Sequence, residues 1–247
     1  IARKQVRRNL YILYCSVSLL TSIHVRSQYE DLGSWNIINM KYTINKKWNI
    51  SGEAQLRSLQ LYNQFHYYEY KGWANLKVHP NLSLALGAGS YKTYKEGGNF
   101  VKPMNNDEFR IWPQIIMNHS LWRLKVEQRY RAEMRFTSNG YRNRFRYRLG
   151  LSHPFGDDSK GYKPFLLSAS NELFFTDREP YFERNRLFFS LAYKISSTTT
   201  VQLGYLHQFD YRINDETGRD FLVAGIFFEF VNKRNQRPDS EAEIRDN

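Results

Sequence analysis

Residues 123–135 carry a charged side chain at every second position, and most positions between them are apolar. Successive side chains of a strand point to opposite faces, whereas a helix would spread these charges around its circumference and leave no apolar stripe. Residues 142–151 repeat the pattern, with four arginines alternating with aromatic and aliphatic residues. The two segments are therefore predicted to be strands, each with one charged face and one apolar face.

The apolar faces of these strands are too aromatic to face water, so they need a non-aqueous neighbour. In a bilayer, a closed β-barrel satisfies every backbone group while it presents one face to hydrocarbon and the other to its lumen. A mean hydropathy of -0.65 with 24% charged residues excludes a helical membrane protein. The 16% aromatic content is expected where aromatic girdles line two interfaces. We therefore expect an all-β transmembrane barrel.

Strand-like alternation recurs along the chain, and no segment shows a helical period. The predicted strands are 34–44, 48–60, 67–78, 82–94, 108–117, 123–135, 142–151, 165–176, 183–195, 199–210 and 221–230. Tight turns such as 45–47 and 79–81 alternate with long connections at 95–107, 176–182 and 211–220, as in outer-membrane barrels. The pattern predicts an antiparallel up-and-down barrel of 10 to 12 strands. An even number is expected, so either the first segment lies outside the wall or two strands have been merged.

The two ends of the chain differ from the barrel region. Residues 1–27 combine basic residues, an apolar run and a small-residue ending, which predicts a signal peptide and a mature start at Gln28. The sole cysteine, Cys15, lies in this segment. Residues 28–230 form the predicted barrel, and the charged tail 231–247, without periodicity, is predicted to be disordered. These features predict export to the outer membrane of a Gram-negative bacterium.

The net charge of +12 raises the question of nucleic acid. Five of the positive charges lie in the predicted signal peptide, which leaves +7 for the mature chain. The remaining basic residues alternate with apolar ones, and no nucleic-acid-binding motif accompanies them. We predict outer-membrane lipid as the neighbour of this protein and no nucleic-acid partner.

The polar faces of the strands carry seventeen basic and seven acidic residues. The predicted lumen charge ladder comprises Glu53, Arg57, Glu69, Glu108, Arg110, Arg123, Lys125, Glu127, Arg129, Arg131, Glu133, Arg135, Arg142, Arg144, Arg146, Arg148, Glu172, Arg184 and Arg186. One interpretation is a plugged, salt-bridged interior with a structural or complex-forming role, since narrow barrels have room only for side chains. The other is a narrow anion-preferring channel, because unpaired guanidinium groups bind phosphate and carboxylate, including lipopolysaccharide phosphates at the rim.

A register follows if the tight turn between the fifth and sixth strands lies at Asn118 and His119. In-facing residues then oppose one another across each strand pair. The predicted pairs are Arg110 with Glu127, Glu108 with Arg129, and Glu172 with Arg186.

Several short motifs resemble a known family. They are Gly33-Ser34-Trp35, Asn45-Lys46-Lys47-Trp48, Glu127-Gln128-Arg129, Arg144-Phe145-Arg146-Tyr147-Arg148, Asn171-Glu172-Leu173-Phe174, Arg184-Asn185-Arg186-Leu187 and Leu203-Gly204-Tyr205. In this order they resemble the uncharacterised bacterial domain of unknown function 2490 over nearly all of the predicted mature chain. The resemblance implies an outer-membrane barrel and supplies no activity.

One string, Ser138-Asn139-Gly140, is similar to the Ser-Asn-Gly of outer-membrane phospholipase A and to the Ser-Asn of lipid A deacylases. In those enzymes a histidine two residues before the serine acts as the base. Here that position is Phe136, and a serine without a base is a weak nucleophile. We predict that the protein is not an enzyme. The alternative is a lipid-remodelling hydrolase that uses Ser138 and Asn139.

No histidines or acidic residues have the spacing of metal ligands. Asn214, Asp215 and Glu216 lie together in the last long connection, where a solvated loop is a simpler interpretation than a cation site. The sequence therefore predicts neither a metal nor another cofactor.

Overall fold

The computed structural model describes residues 32–157, 163–211 and 216–232, which contain eleven strands and no helix. The strands are β1 (Gly33–Thr43), β2 (Trp48–Gln60), β3 (Asn63–His79), β4 (Leu82–Lys95), β5 (Val101–Leu121), β6 (Leu124–Thr137), β7 (Gly140–Phe155), β8 (Phe165–Thr176), β9 (Phe182–Lys194), β10 (Thr199–Asp210) and β11 (Thr217–Val231). Nowhere in these ranges is there a helix of the length and hydropathy that a membrane crossing requires. The predicted all-β fold is confirmed, whereas the predicted signal peptide, 1–27, and the tail beyond residue 232 lie outside the described residues.

The strands form a closed barrel in which every strand pairs with its neighbour along the chain. The barrel closes between β1 and β11, which pair in parallel and in one unbroken register from Gly33 opposite Phe221 to Thr43 opposite Val231. An odd number of up-and-down strands leaves the first and last pointing the same way, so the closing pair must be parallel. A parallel ladder has slanted hydrogen bonds but leaves no open edge.

The predicted range of 10 to 12 strands is therefore correct, and the expected even count is wrong. Both ways of reaching an even number also fail. The first predicted segment is part of the wall as β1, and no two strands were merged into one.

The wall has its charges inside and its large apolar side chains outside. Glu133 and Arg144 point inward and are 1% and 3% exposed, whereas Leu86 and Leu203 on the outer face are 61% and 59% exposed. A water-soluble protein shows the opposite distribution, with charges outside and large apolar side chains buried. The period-two alternation that defines the strands also generates this inversion.

The barrel has two rims, each defined by its connections. The turn rim carries 44–47, 80–81, 122–123, 156–164 and 195–198, and the loop rim carries 61–62, 96–100, 138–139, 177–181 and 211–216. Two of the long predicted connections are shorter than expected, because β5 begins at Val101 and β11 at Thr217.

The predicted register between β5 and β6 is wrong. β5 continues through the polar residues 118–120 to Leu121, and the turn falls at Trp122, whose φ is +55°. Arg110 consequently lies opposite Arg135, and Glu127 opposite Asn118. The partner of Arg110 thus moves by eight residues, and because this number is even the inward faces are unchanged. Between β8 and β9 the predicted register is confirmed, with Glu172 opposite Arg186.

Candidate functional site

The barrel encloses a cavity of about 1340 Å³ that reaches both rims. Pro80 and Ser120 line it near the turn rim, and Glu96 and Thr217 line it near the loop rim. Among the described residues, thirteen basic and eight acidic side chains line this cavity. The cavity is therefore a positively charged interior.

Sixteen of the nineteen residues of the predicted charge ladder line the cavity. They are Glu53, Arg57, Glu69, Glu108, Arg110, Lys125, Glu127, Arg129, Arg131, Arg135, Arg144, Arg146, Arg148, Glu172, Arg184 and Arg186. Glu133 does not line the cavity. It is buried in contact with Arg144 and Arg146, which do line it. Arg142 is a half-buried residue of β7 that does not line the cavity. Arg123 is exposed in the turn between β5 and β6, because β5 runs to Leu121.

Glu133 is the centre of the charge network. Its carboxylate lies 2.6 Å from Arg144, 2.7 Å from Arg146, 3.5 Å from Arg131 and 3.7 Å from Arg110. These arginines come from β5, β6 and β7, so the contacts join three strands of the wall. One negative charge is shared among four positive ones.

Three further glutamates complete what we call the arginine cluster. Glu108 accepts hydrogen bonds from Arg110 at 2.6 and 2.9 Å and from Arg135. Glu172 lies 2.7 Å from Arg129 and 2.8 Å from Arg146, and Glu183 lies 3.1 Å from Arg144 and 3.5 Å from Arg135. The arginine cluster consists of Arg110, Arg129, Arg131, Arg135, Arg144 and Arg146 with Glu108, Glu133, Glu172 and Glu183. Its six positive and four negative charges leave an excess of base.

The other charged side chains of the lumen form smaller and more balanced groups. Lys71 lies 2.5 Å from both Glu53 and Glu69, and Arg57 lies 3.1 Å from Glu69. Three separate pairs also line the cavity, Arg148 with Glu127, Arg184 with Asp210, and Arg219 with Glu96. In each of these groups the charges cancel, so the uncompensated charge of the lumen resides elsewhere.

Inward-pointing aromatic side chains support the guanidinium groups. Arg57 lies 3.4 Å from the ring centroid of Trp35, and Arg110 lies 3.6 Å from that of Tyr91. The ring of Phe174, which is fully buried, faces four arginines at 4.5 to 5.8 Å. Such contacts favour a cation through the negative face of the ring and hold the guanidinium in place.

These aromatic residues were absent from the predicted ladder, which considered polar side chains alone. Trp112 stands between Arg110 and Gln114 on the inward face of β5, and Phe174 stands two residues after Glu172 on β8. Strand parity alone would have assigned both inward. The glycine at position 87 makes room for Trp112, since a Cβ there would lie 2.5 Å from the indole ring.

The two halves of the lumen differ in the size of their side chains. The arginine cluster and the buried aromatic rings lie mostly in the half nearer the loop rim. In the half nearer the turn rim, small inward-facing residues, Gly150, Ser152, Ser168 and Ser170, line the side formed by β7 and β8, and Trp73 and Phe227 line other parts. After these side chains, we call the half nearer the loop rim the constricted half and the half nearer the turn rim the wide half.

Residues 32–219 match the family described as protein of unknown function (DUF2490). The chain belongs to this family. The match covers the wall from the beginning of β1 into β11 and confirms the resemblance seen in the short motifs. No curated protein matches the chain.

Ser138 lies in the tight turn between β6 and β7, outside the cavity. Its Oγ donates to Asn106 Oδ1 at 3.2 Å and accepts from the backbone N–H of Asp107 at 3.4 Å. Asn139 is exposed in the same turn, with its backbone N–H bonded to Thr137. These neighbours offer no base for a serine nucleophile. The absence of enzymatic activity stays a prediction.

The described residues hold no group of three or more His, Cys, Asp or Glu side chains placed to bind a metal. Asn214 and Asp215 lie outside the described residues, and Glu216 is exposed next to them. The prediction that the protein has no metal or other cofactor is not tested by this arrangement.

Proposed function

We propose that the protein is a non-enzymatic outer-membrane β-barrel whose lumen is a narrow, anion-preferring passage. The inverted distribution of side chains supports the membrane location, because an exposed apolar wall around a charged interior is stable in hydrocarbon and costly in water.

Aromatic residues at both ends of the outer wall support the same location. Near the turn rim, Phe165 packs against Phe155 and Tyr193, with ring centroids 5.3 and 5.1 Å apart. Near the loop rim, the rings of Phe136 and Tyr141 are 5.2 Å apart. Membrane barrels carry such aromatic girdles at their two interfaces.

The proposed anion preference rests on one observation. Basic residues outnumber acidic residues around a cavity that reaches both rims. Thirteen basic and eight acidic residues line it, and the enclosed Glu133 adds one more negative charge. Excess positive charge in a low-dielectric wall attracts anions and repels cations. A narrow lumen strengthens this selection because every ion passes close to the arginines.

The buried arginine cluster also favours a second candidate, a plugged barrel with a structural or complex-forming role. Long side chains from β5, β6, β7, β8 and β9 meet across the constricted half of the lumen. The two candidates differ in whether water and ions cross this cluster. Nothing around Ser138 favours the hydrolase over either of them.

Planar lipid bilayers distinguish the two candidates. The refolded barrel, checked by the different gel migration of boiled and unboiled samples, is inserted into a bilayer under a KCl gradient. We expect a small conductance whose reversal potential shows a preference for chloride. Arg131→Gln, which removes a positive charge from the lining, should reduce this preference, whereas Arg142→Gln should not, because Arg142 does not line the cavity. A folded barrel without conductance would support the plugged structure, and a preference for potassium would contradict the proposal.

A further inference from the structure

Arg186 differs from the other arginines of the lumen in having no acidic partner. No carboxylate oxygen of the described residues lies within 4.0 Å of its guanidinium group. Glu172 is directly opposite in the sheet, but its carboxylate bonds to Arg129 and Arg146 instead. The neighbouring Arg184 is neutralised by Asp210. The charge of Arg186 is therefore uncompensated in a place where carboxylates are close by.

A neutral side chain holds Arg186 in position. Its Nε donates to Gln208 Oε1 at 2.8 Å, a contact between adjacent strands β9 and β10. A glutamate at position 208 would orient the guanidinium equally well but would cancel its charge. The amide oxygen fixes the orientation of Arg186 and leaves its full positive charge available.

Two aromatic rings enclose the same guanidinium group. Its carbon lies 4.9 Å from the centroid of Trp35 and 4.8 Å from that of Phe174, and both rings are buried. These contacts limit the rotation of a long side chain, so little conformational entropy remains to be lost on binding a ligand. Arg186 also lines the cavity, where a solute can reach it.

Arg131 has a similar environment in the lumen. Arg131 donates from Nε to Gln114 Oε1 at 2.7 Å and lies 5.0 Å from the centroid of Trp112. Its nearest carboxylate, that of Glu133, is 3.5 Å away and is bonded more closely by Arg144 and Arg146. Arg57 also contacts a glutamine, Gln55 at 2.8 Å, over a buried ring, but Glu69 neutralises it at 3.1 Å. Arg186 is therefore distinguished by combining this environment with the lack of a carboxylate partner among the described residues.

We propose that Arg186, oriented by Gln208, is a binding site for a small oxyanion, a carboxylate or a phosphate group. The inference deepens the proposed anion passage and rests on it for the route by which the ligand arrives. The terminal N–H groups of an oriented guanidinium match two oxygens of a carboxylate or phosphate in a bidentate contact. Chloride, which has no such geometry, gains the charge attraction alone.

The test is calorimetric titration of the folded barrel in detergent, at low chloride, with inorganic phosphate and separately with succinate. We expect saturable binding of at least one of them, which also identifies the preferred class of oxyanion. Arg186→Gln should weaken that binding by roughly tenfold or more, the loss of one charge-assisted contact. Arg142→Gln, the matched control outside the cavity, should leave it unchanged. Arg186→Lys keeps the positive charge but loses the two parallel N–H groups of the guanidinium. It should bind more weakly than the wild type, and still measurably.

The absence of saturable binding of either anion to the wild-type barrel would overturn the inference, as would equal binding by Arg186→Gln. If Arg186→Gln fails to fold, Arg186→Lys and the wild type still decide the question. Conductance separates this inference from the proposed function. Binding without conductance would support the oxyanion site and refute the anion passage. An anion-selective current with no binding and no block by phosphate or succinate would support the passage and refute the site.

Discussion

The two halves of the lumen are built from the same alternating strands and have different interiors. Near the loop rim, arginines, glutamates and aromatic rings meet across the barrel, and Glu133 and Phe174 are shielded from solvent. Near the turn rim, three serines and a glycine of β7 and β8 face the cavity, and the pair of Glu127 with Arg148 keeps about a third of its side-chain surface exposed. The alternation decides which side chains point inward, and their length decides whether they close the lumen.

The difference predicts where a charge change is most damaging. In the constricted half a removed carboxylate leaves several arginines close together without solvent. In the wide half, water screens whatever charge remains. The four predictions that follow test this contrast, from the largest expected effect to the smallest.

Glu133→Gln is expected to destabilise the barrel most. It removes a buried negative charge that four arginines share, and an uncompensated buried charge costs roughly 3 to 5 kcal/mol. The melting temperature, followed by gel migration or circular dichroism, should fall more than for any other single carboxylate-to-amide change. The control is Glu127→Gln, in the pair with Arg148 that is about one-third exposed. Equal shifts for the two variants would show that water penetrates the arginine cluster.

Gly87→Ala is expected to disturb the aromatic part of the constriction. Its added methyl group would lie 2.5 Å from the ring of Trp112, which is 1% exposed, so the ring must move. Overpacking of this kind costs roughly 1 to 3 kcal/mol. Gly52→Ala is the matched control, because no atom lies within 4 Å of a Cβ at that position. Thermal unfolding of both variants measures the effect, and a stable Gly87→Ala barrel would show that Trp112 is loosely packed.

Glu127→Gln is expected to affect selectivity more than stability. The pair with Arg148 is about one-third exposed, so its loss should cost less than about 1 kcal/mol after solvent screening. In the proposed passage the same change frees the charge of Arg148 in the wide half of the lumen. The reversal potential under a KCl gradient should therefore shift towards greater anion preference. A large fall in melting temperature without a change in selectivity would contradict this description of the wide half.

Ser138→Ala is expected to have the smallest effect. The exposed hydroxyl bonds to Asn106 and to the backbone of Asp107, and a surface change of this kind alters stability by about 0.5 kcal/mol or less. We expect no release of fatty acid from phospholipid or lipid A by the wild type or the variant. Hydrolysis by the wild type that disappears in Ser138→Ala would refute the non-enzymatic assignment.

Local alternation was sufficient to predict the strands and their inward faces. Glu53, Glu108, Arg129 and Arg146 were assigned to the lumen by parity alone, and all four line the cavity. The register between β8 and β9 was also predictable, since few residues connect these strands and Glu172 lies opposite Arg186 as expected. Whether a residue faces the lumen or the outside can therefore be predicted from its immediate neighbours in the sequence.

The ion pairs were less predictable than the register. Glu172 faces Arg186 along the backbone, yet its carboxylate bonds to Arg129 and Arg146. Long side chains reach past their nearest neighbours, and the choice among several arginines depends on the shape of the closed lumen. The turn at Trp122 was missed for a different reason. The polar residues 118–120 favour a turn in the sequence, whereas β5 continues through them to the backbone reversal at Trp122, where φ is positive.

The sequence by itself determined that this chain forms a barrel wall with charges inside and apolar residues outside, because a strand alternates its faces every residue whatever the rest of the chain does. The tertiary structure decided the odd strand count, the parallel contact of β1 with β11, the sharing of Glu133 among four arginines and the lack of an ion pair between Arg186 and any described carboxylate. Each of these features depends on contacts between strands that are distant in the sequence and form once the sheet has closed. Local alternation carries no information about such contacts.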